Sequence, residues 1–501
     1  MRKADLRMLE ERFLGPHRQF FAEVDAALKG RRGAPLVSVS YLWGGIVLLM
    51  LSRRHLTITE LAEYFAHDAR PQELKMFSRH ARGRHHRGPR FRPSLPQLYR
   101  VNAAMKRAFA EKAGLSNWRA ANMRDLLQEE SRLGMLNKFA SMLLEGTWPA
   151  LAMASGKVAL DTSLVDAYSK PIKIARIRAG ERASDPDARH RKLERPGAKP
   201  KHYFGYGIQT VSTSGFGHEY IMAVAVNSAN ADDRPVVVNL VRRLLGDGQP
   251  IAQVMMDRGF SNSRPTLERF RAMGCDPIFD LKSNQDRRSA DWKGCLILDG
   301  SPYLPTLPKR LYLLERPGLR AGGSEKQARE EKIDEKAWQE KIDERQLYAL
   351  VANGKGTPTS VRVQSPLFRN RRFGCPHVPG SMRRRDLALP VCDGNHAPDE
   401  ACALANATWR SKDAPWTFQR PVWGTREWRN QYKRRSAIER SFNLLKNADV
   451  VGLRPGEFRL RGLANMTMLV ALGFVAVNLH LGALDQAGAA HSPPEATARA
   501  A

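Results

Sequence analysis

The sequence predicts an α/β protein: a mixed β-sheet flanked by helices, preceded by an N-terminal helical domain and broken by an insertion. Three observations predict it. The first 150 residues are patterned for helices, with ELAEYFA following a Thr57/Glu60 pair at capping-box spacing. From Lys157 the texture changes to β-branched and aromatic runs, KVALDTSLVDAY, YFGYGIQTVST and EYIMAVAV, which read as strands. Helices and strands then alternate: ADDRPVVVNLVRRLLGDG, QVMM, PTLERFRAMG and DPIFDL.

Taken in order, Val37 to Ala66 holds two short helices and a turn, the first of them uncharged from Val37 to Ser52. That pattern fits a helix-turn-helix and equally plain bundle packing, because capping and amphipathicity alone do not identify a DNA reader. Arg79 to Arg92 holds six arginines, three histidines and no acid. Such a run is either a solvated loop or, in so basic a chain, a phosphate-contacting arm. Helical patterning returns from Leu95 to Leu144. In the strand region Asp161 follows the apolar VAL, and Asp257 follows QVMM and precedes a glycine turn, so both carboxylates read as strand-end residues.

Between Lys282 and Arg426 the rhythm is lost. Ser324 to Gln346 repeats EKIDE and reads as an exposed helix held by close ion pairs. QLYALVA and TSVRVQ are short strand candidates. A helix free of Pro and Gly follows from Arg426 to Val451, then the apolar Gly462 to Leu481 and an Ala-rich tail that reads as disordered. The expected regions are 1–150, helical and DNA-binding; 151–285, the first part of the sheet domain; 286–425, an insertion; 426–482, the helices that complete the sheet domain; and 483–501, a tail.

At 501 residues the chain is long enough for several cores. Its 81 Lys and Arg against 51 Asp and Glu give a formal charge of +30, a field whose natural counterpart is a polyanion, with nucleic acid first. A membrane surface is the competing partner. Gly462 to Leu481 is long enough to span a bilayer, yet it carries Asn465, Thr467, Asn478 and His480 and reads as a buried core helix, so no membrane partner is expected. The first residues, MRKADLRMLEERF, lack the apolar core of a secretion signal, and five scattered cysteines do not make a disulfide framework. A cytoplasmic, nucleoid-associated protein with reduced thiols is expected.

The stretch QYKRRSAIERSFNLLK sets one acid among many bases. On an ideal helix with Tyr432 at zero, Arg435, Glu439 and Lys446 fall near roughly −60°, −20° and −40°, one narrow face. Ile438, Phe442 and Leu445 form an adjacent apolar stripe suited to packing on the sheet. A surface i, i+4 pair of Glu439 with Arg435 is the plain explanation, and such pairs are weak. With Asp161 and Asp257, however, Glu439 completes three carboxylates on two strands and a helix. That oxygen-rich set suits Mg²⁺ or Mn²⁺, and two such ions can activate a water or a 3′-hydroxyl against a phosphodiester.

The spacing YxxRxxxExxxxxxK, met by Tyr432, Arg435, Glu439 and Lys446, resembles the signature of cut-and-paste insertion-sequence transposases of the bacterial DDE class. ALDTS around Asp161, MDRGF around Asp257 and the strand YFGYGIQ are similar to other motifs of that family, so the resemblance covers Val158 to Leu481. It implies an RNase H-like core with an insertion between the second Asp and the Glu. The 182 positions from Asp257 to Glu439, against 96 from Asp161 to Asp257, leave room for that insertion. It also implies that Asp161 bridges two metal ions, that Asp257 and Glu439 complete the site, and that Tyr432, Arg435 and Lys446 hold transposon-end DNA through phosphates. Arg258 is a further DNA-contact candidate, or a residue that caps the fold.

Among rival acids, Asp166 stands behind Asp161 because a strand end delivers a rigid ligand, and Asp232 and Asp233 read as helix caps. Cys375, His377, Cys392, His396 and Cys402 invite a structural zinc, but CxH and CxxxH are not a standard finger spacing. A loop with reduced thiols is the plainer reading. The implied function is a transposase that binds double-stranded DNA at terminal inverted repeats as a homodimer or higher oligomer, cleaves there and transfers strands to target DNA. A catalytically inactive derivative acting as a repressor or architectural factor is the alternative, and it predicts binding without nicking.

Overall fold

The β-type run after Lys157 is realised as long antiparallel strands in a computed structural model of the chain. It describes residues 3–28, 37–81, 88–113, 132–169, 171, 176, 184–185, 187–193, 200–215, 218–261, 263–281, 288–317, 325–354, 356–369, 374–382, 400–410, 417–446, 451–453 and 460–491. The chain divides into two compact units, Met1–Pro250 with Ala437–Ala501, and Ile251–Ser436. The divisions fall at Pro250 and Ser436, where sequence suggests 285 and 425.

In the first unit, β1 (Lys157–Asp166) pairs antiparallel with β3 (Lys201–Thr213). On its other side β3 pairs antiparallel with β2 (Arg189–Leu193) along its first residues and with β4 (Ile221–Ser228) along the rest. Gly205 is required where β3 crosses the end of β1: a Cβ there would lie 2.1 Å from the Val165 carbonyl oxygen and 2.7 Å from the Ala167 amide.

The N-terminal helices are α1 (Lys3–Leu9), α2 (Arg18–Ala27), α3 (Val39–Leu51), α4 (Ile58–Glu63), α5 (Pro71–His80), α6 (Leu95–Ala113) and α7 (Arg132–Met142). The uncharged α3 is buried almost throughout, and Ser38 caps it by accepting from the Ser40 amide. Thr57 Oγ1 accepts from the Glu60 amide at 2.9 Å, the cap that opens α4. Of the arginine-rich run, 82–87 lie outside the described residues. Its flanks are committed within the chain: Arg79 pairs with Glu10 at 3.0 Å, and Arg92 donates to the Ala66 and Ala69 carbonyls that end the helical turn before α5.

Helix α7 meets β4, where Ser141 Oγ donates to the Val224 carbonyl at 3.2 Å. Helix α8 (Asp233–Gly246) lies against β3 and β4. Its N-cap is Asp232, while Asp233 instead pairs with Arg191 at 2.9 Å and accepts from Gln209.

In the second unit β5 (Gln253–Met256) and β6 (Asp276–Phe279) are parallel, joined through α9 (Arg258–Ser261) and α10 (Arg264–Ala272). Antiparallel and parallel ladders together make the strand content mixed, as expected. Two small antiparallel sheets follow: β7 (Arg288–Trp292), β8 (Cys295–Leu298) and β9 (Ser301–Tyr303); then β10 (Val351–Ala352), β11 (Ser360–Gln364) and β12 (Ala407–Arg410). Helix α11 (Glu325–Gln346) falls where the EKIDE repeats predict a helix, with Lys336 and Glu340 an exposed i, i+4 pair, but one face of its C-terminal turns is not exposed. Trp338, Ile342 and Arg345 are buried there, and Arg345 Nη1 meets Asp299 Oδ2 at 2.6 Å with both side chains fully out of solvent. Its charge density conceals this, because the partner lies in a distant turn.

The short helix α12 (Pro366–Arg369) is followed by α13 (Arg426–Tyr432), a 3₁₀ turn (Lys433–Arg435) and α14 (Ser436–Lys446). The expected single helix is therefore interrupted. A 3₁₀ turn winds at three residues rather than 3.6, so helical-wheel bearings hold within α14 but not across Lys433 to Arg435.

The apolar C-terminal segment is α15 (Leu463–His491), which runs beyond 482 into the expected tail. Its Leu463–Ala487 portion is long and apolar enough to cross a membrane, yet 83% of its most apolar window is buried inside the protein. Asn478 accounts for its polarity by accepting from the Ile221 amide at 2.9 Å and donating to Thr147 Oγ1 and the Ile221 carbonyl, both at 2.8 Å. Residues 492–501 lie outside the described residues.

Candidate active site

Asp161 sits within β1, opposite Thr210 of β3, and is half-buried. Its Oδ1 accepts from the Thr162 amide at 2.9 Å. The strand-end expectation fails for it: the continuous buried run of β1 stops at Leu160, but the ladder with the long β3 continues to Asp166, the true last residue. Asp161 and Asp166 differ in the face they occupy. Side chains alternate along a strand, so Asp161 and Ser163 share one face and Asp166 takes the other. Lys446 Nζ donates to Ser163 Oγ at 2.5 Å and to the Leu164 carbonyl at 3.1 Å, which places α14 on the Asp161 side. Burial lowers the Lys446 pKa, opposed by the negative charges of Asp161 and then Asp166.

Glu439 lies in the first turn of α14 and is exposed. A carboxylate there is favoured by the positive end of the helix dipole. Ile438, Phe442 and Leu445 are buried as the wheel predicts, and Phe442 and Leu445 meet α15. The Phe442 ring stands 5.7 Å from that of Phe474, and a Cβ on Gly473 would lie 2.6 Å from Leu445.

In the second unit Asp257 directly follows β5, as the sequence predicts, and is half-buried. Its Oδ1 accepts from the Gly259 amide at 2.8 Å, closing the turn that opens α9. A Cβ on Gly259 would meet that oxygen at 2.9 Å, which gives the glycine of MDRGF its reason. Arg258 donates to Asp280 Oδ2 from Nε at 2.9 Å and from Nη2 at 2.6 Å. Asp280 also accepts from Trp423 Nε1 at 2.9 Å and pairs with Arg316 at 3.4 Å. The sequence reading missed this buried hub, although Asp280 ends β6 as Asp257 ends β5.

Tyr432 is held between two partners. Its ring stacks on Trp428 with centroids 4.7 Å apart and planes 9° from parallel, and the Arg435 guanidinium lies 5.7 Å from its centroid. Burial pushes its hydroxyl up to about 12; the Arg435 charge lowers it, and Asp280 and Asp257 add to the rise. The phenol is therefore a hydrogen-bond donor at neutral pH.

The carboxylate oxygens of Asp161, Asp257 and Glu439 are donors of the kind hard divalent cations take. Among the described residues no group of three His, Cys, Asp or Glu is gathered to hold a metal ion. Cys375 and Cys402 are buried in an apolar cluster with Cys295 and Trp409, which suits thiols packed as small hydrophobes. Cys392 and His396 lie outside the described residues.

Sequence comparison bears directly on the strands just described. Residues 158–366 match the family described as Transposase DDE domain. The transposase DDE match starts in β1 and ends at α12, so it takes in Asp161 and Asp257 but stops short of Tyr432, Arg435, Glu439 and Lys446, and it spans less than half of the chain. That family implies an enzyme of the polynucleotidyl-transferase type. Comparison with curated proteins gives no match. A solved structure, the cryo-EM structure of a piggyBac transposase synaptic complex with hairpin DNA, is similar at 10% identity and a TM-score of 0.36, covering 97% of this chain and 76% of that one. At that level the likeness carries no argument.

Proposed function

We propose that the chain is the DNA transposase of an insertion sequence, which binds terminal inverted repeats as a homodimer or higher oligomer in the cytoplasm, cleaves there and joins the freed ends to target DNA. The observation that carries this reading is the bond from Lys446 to Ser163. Through it the helix bearing Glu439 is fastened to the strand bearing Asp161, on the Asp161 face. The signature in the C-terminal helices, outside the family match, thus meets the first acidic motif, inside it.

In this reading Asp161, Asp257 and Glu439 would hold Mg²⁺ or Mn²⁺, which would supply an activated water or 3′-hydroxyl and neutralise charge on the scissile phosphate. Since no three such ligands are gathered among the described residues, completion of the ligand set is part of the proposal. The remaining work is positioning and charge. Lys446 sets a cation beside Asp161. The protonated Tyr432 hydroxyl and the Arg435 guanidinium would donate to end phosphates. Arg258, committed to Asp280, would reach DNA only with its remaining donors.

The test is nicking of duplex DNA carrying the sequences that flank the coding region, by the full chain with Mg²⁺. Asp161→Asn, Asp257→Asn and Glu439→Gln are each expected to abolish nicking and to leave end binding largely intact. Full nicking by any one of these variants removes that residue from the site. Binding without nicking by the unsubstituted chain would instead make it a DNA-binding derivative.

A further inference from the structure

The ribbon formed by β2 and the start of β3 has no part in the site described above, yet its composition is one-sided. Arg189, His190, Arg191 and Lys192 on one strand face Lys201 and His202 on the other, with no acid on either strand segment. Lys192, Lys201 and His202 are exposed. Arg191 pairs with Asp233, and the Lys201 ammonium lies 4.6 Å from the Tyr203 ring centroid.

The register fixes which face each residue takes. Asp161 is opposite Thr210, and Lys192 is opposite His202 on the same strand β3. Thr210 and His202 are eight positions apart, an even number, so Lys192, His190 and His202 share the Asp161 face while Arg189 and Lys201 take the other. Eight residues of strand span about 27 Å, the length of roughly eight base steps at about 3.4 Å each. Positive side chains on both faces suit a ribbon seated between the two phosphate walls of a groove, and the major groove of B-DNA admits a two-stranded ribbon.

We infer that the β2–β3 ribbon is a duplex-DNA contact surface, gripping phosphates about eight base pairs from the Asp161 site. The inference rests on the proposed function for the identity of the polyanion, and a binding measurement separates the two. The probes are a duplex of the flanking sequence and a random duplex of equal length, titrated with the full chain over a range of salt. Two cations that touch phosphates contribute about 1.8 to the slope of log K against log salt. Lys192→Gln with Lys201→Gln should therefore reduce the slope by about 2 and weaken binding on the order of tenfold at 0.1 M salt on both probes. Both lysines are exposed, so an unchanged melting temperature is expected to verify folding.

An unchanged slope in the folded double variant would overturn the inference, leaving the charges as protection of a sheet edge against pairing with other chains. Nicking that persists beside an unchanged slope sinks the ribbon and keeps the transposase reading. Ribbon-dependent binding without nicking by the unsubstituted chain does the reverse. Failure of the unsubstituted chain to bind either duplex overturns both.

Discussion

Lys446 donates from Nζ to Ser163 Oγ at 2.5 Å, and that bond ties the end of α14 to the middle of β1. The lysine is partly desolvated to make it, which lowers its pKa, with Asp161 and Asp166 opposing the shift. A half-buried charge in this position holds two elements together and carries a pH signature.

Lys446→Met should destabilise the protein by about 1.5–3 kcal/mol, the range for hydrogen bonds to a charged group, as read by denaturant unfolding at neutral pH. The sign of the pH effect follows from the lowered pKa. Between the folded value and the ordinary lysine value near 10.4 the unfolded state binds more protons, so the lysine's penalty is complete below that window and is relieved as pH rises through it. The unsubstituted protein should gain stability relative to Lys446→Met across that window. A pH-independent difference would refute the assignment.

Glu439→Gln tests the part of the signature that the family match does not reach. In the proposed role of metal ligand, its loss should lower nicking by at least about a thousandfold, corresponding to several kcal/mol of transition-state stabilisation. Glu427→Gln, in α13, serves as the control and should leave nicking within a few-fold. Equal effects of the two substitutions would reduce Glu439 to a helix-end charge.

Gly205→Ala should cost about 3 kcal/mol, the upper end for forced overpacking, because the added Cβ would collide with backbone atoms of β1 rather than with a side chain that can turn away. Thermal unfolding of the variant measures it. A cost below about 1 kcal/mol would show that β1 yields at its end.

The fully buried Arg345–Asp299 pair predicts that Arg345→Met alone costs about 3–5 kcal/mol, since it strands the aspartate charge. Combining it with Asp299→Asn should recover much of the loss. Asparagine also tolerates the positive φ of 50° at that position. Additive losses in the double variant, measured by chemical unfolding, would argue against a coupled pair.

The local features of the fold were legible where short-range chemistry sets them. The cap at Thr57, the turn after Asp257, the helix over the EKIDE repeats and the apolar stripe of α14 all follow from residues within a few positions of one another. Asp161 was legible as a candidate but for the wrong reason. The apolar VAL marks where the first buried run ends, and the ladder continues because the thirteen-residue β3 keeps supplying partners. The continuous helix over the signature was misread because helical periodicity carries no sign of a tighter turn at Lys433 to Arg435.

By itself the sequence determined the basic charge, the strand and helix types, and the ordered acids Asp161, Asp257 and Glu439 with their family resemblance. These depend on composition, periodicity and spacing, which act along the chain. Only the tertiary structure decided that Lys446 meets Ser163, that Asp280 gathers Arg258, Arg316 and Trp423, that Arg345 is buried on Asp299, and that Lys192 and His202 share a face with Asp161. Each of these joins residues far apart in the chain, and a long-range pair becomes legible only when strand register and packing bring its members together.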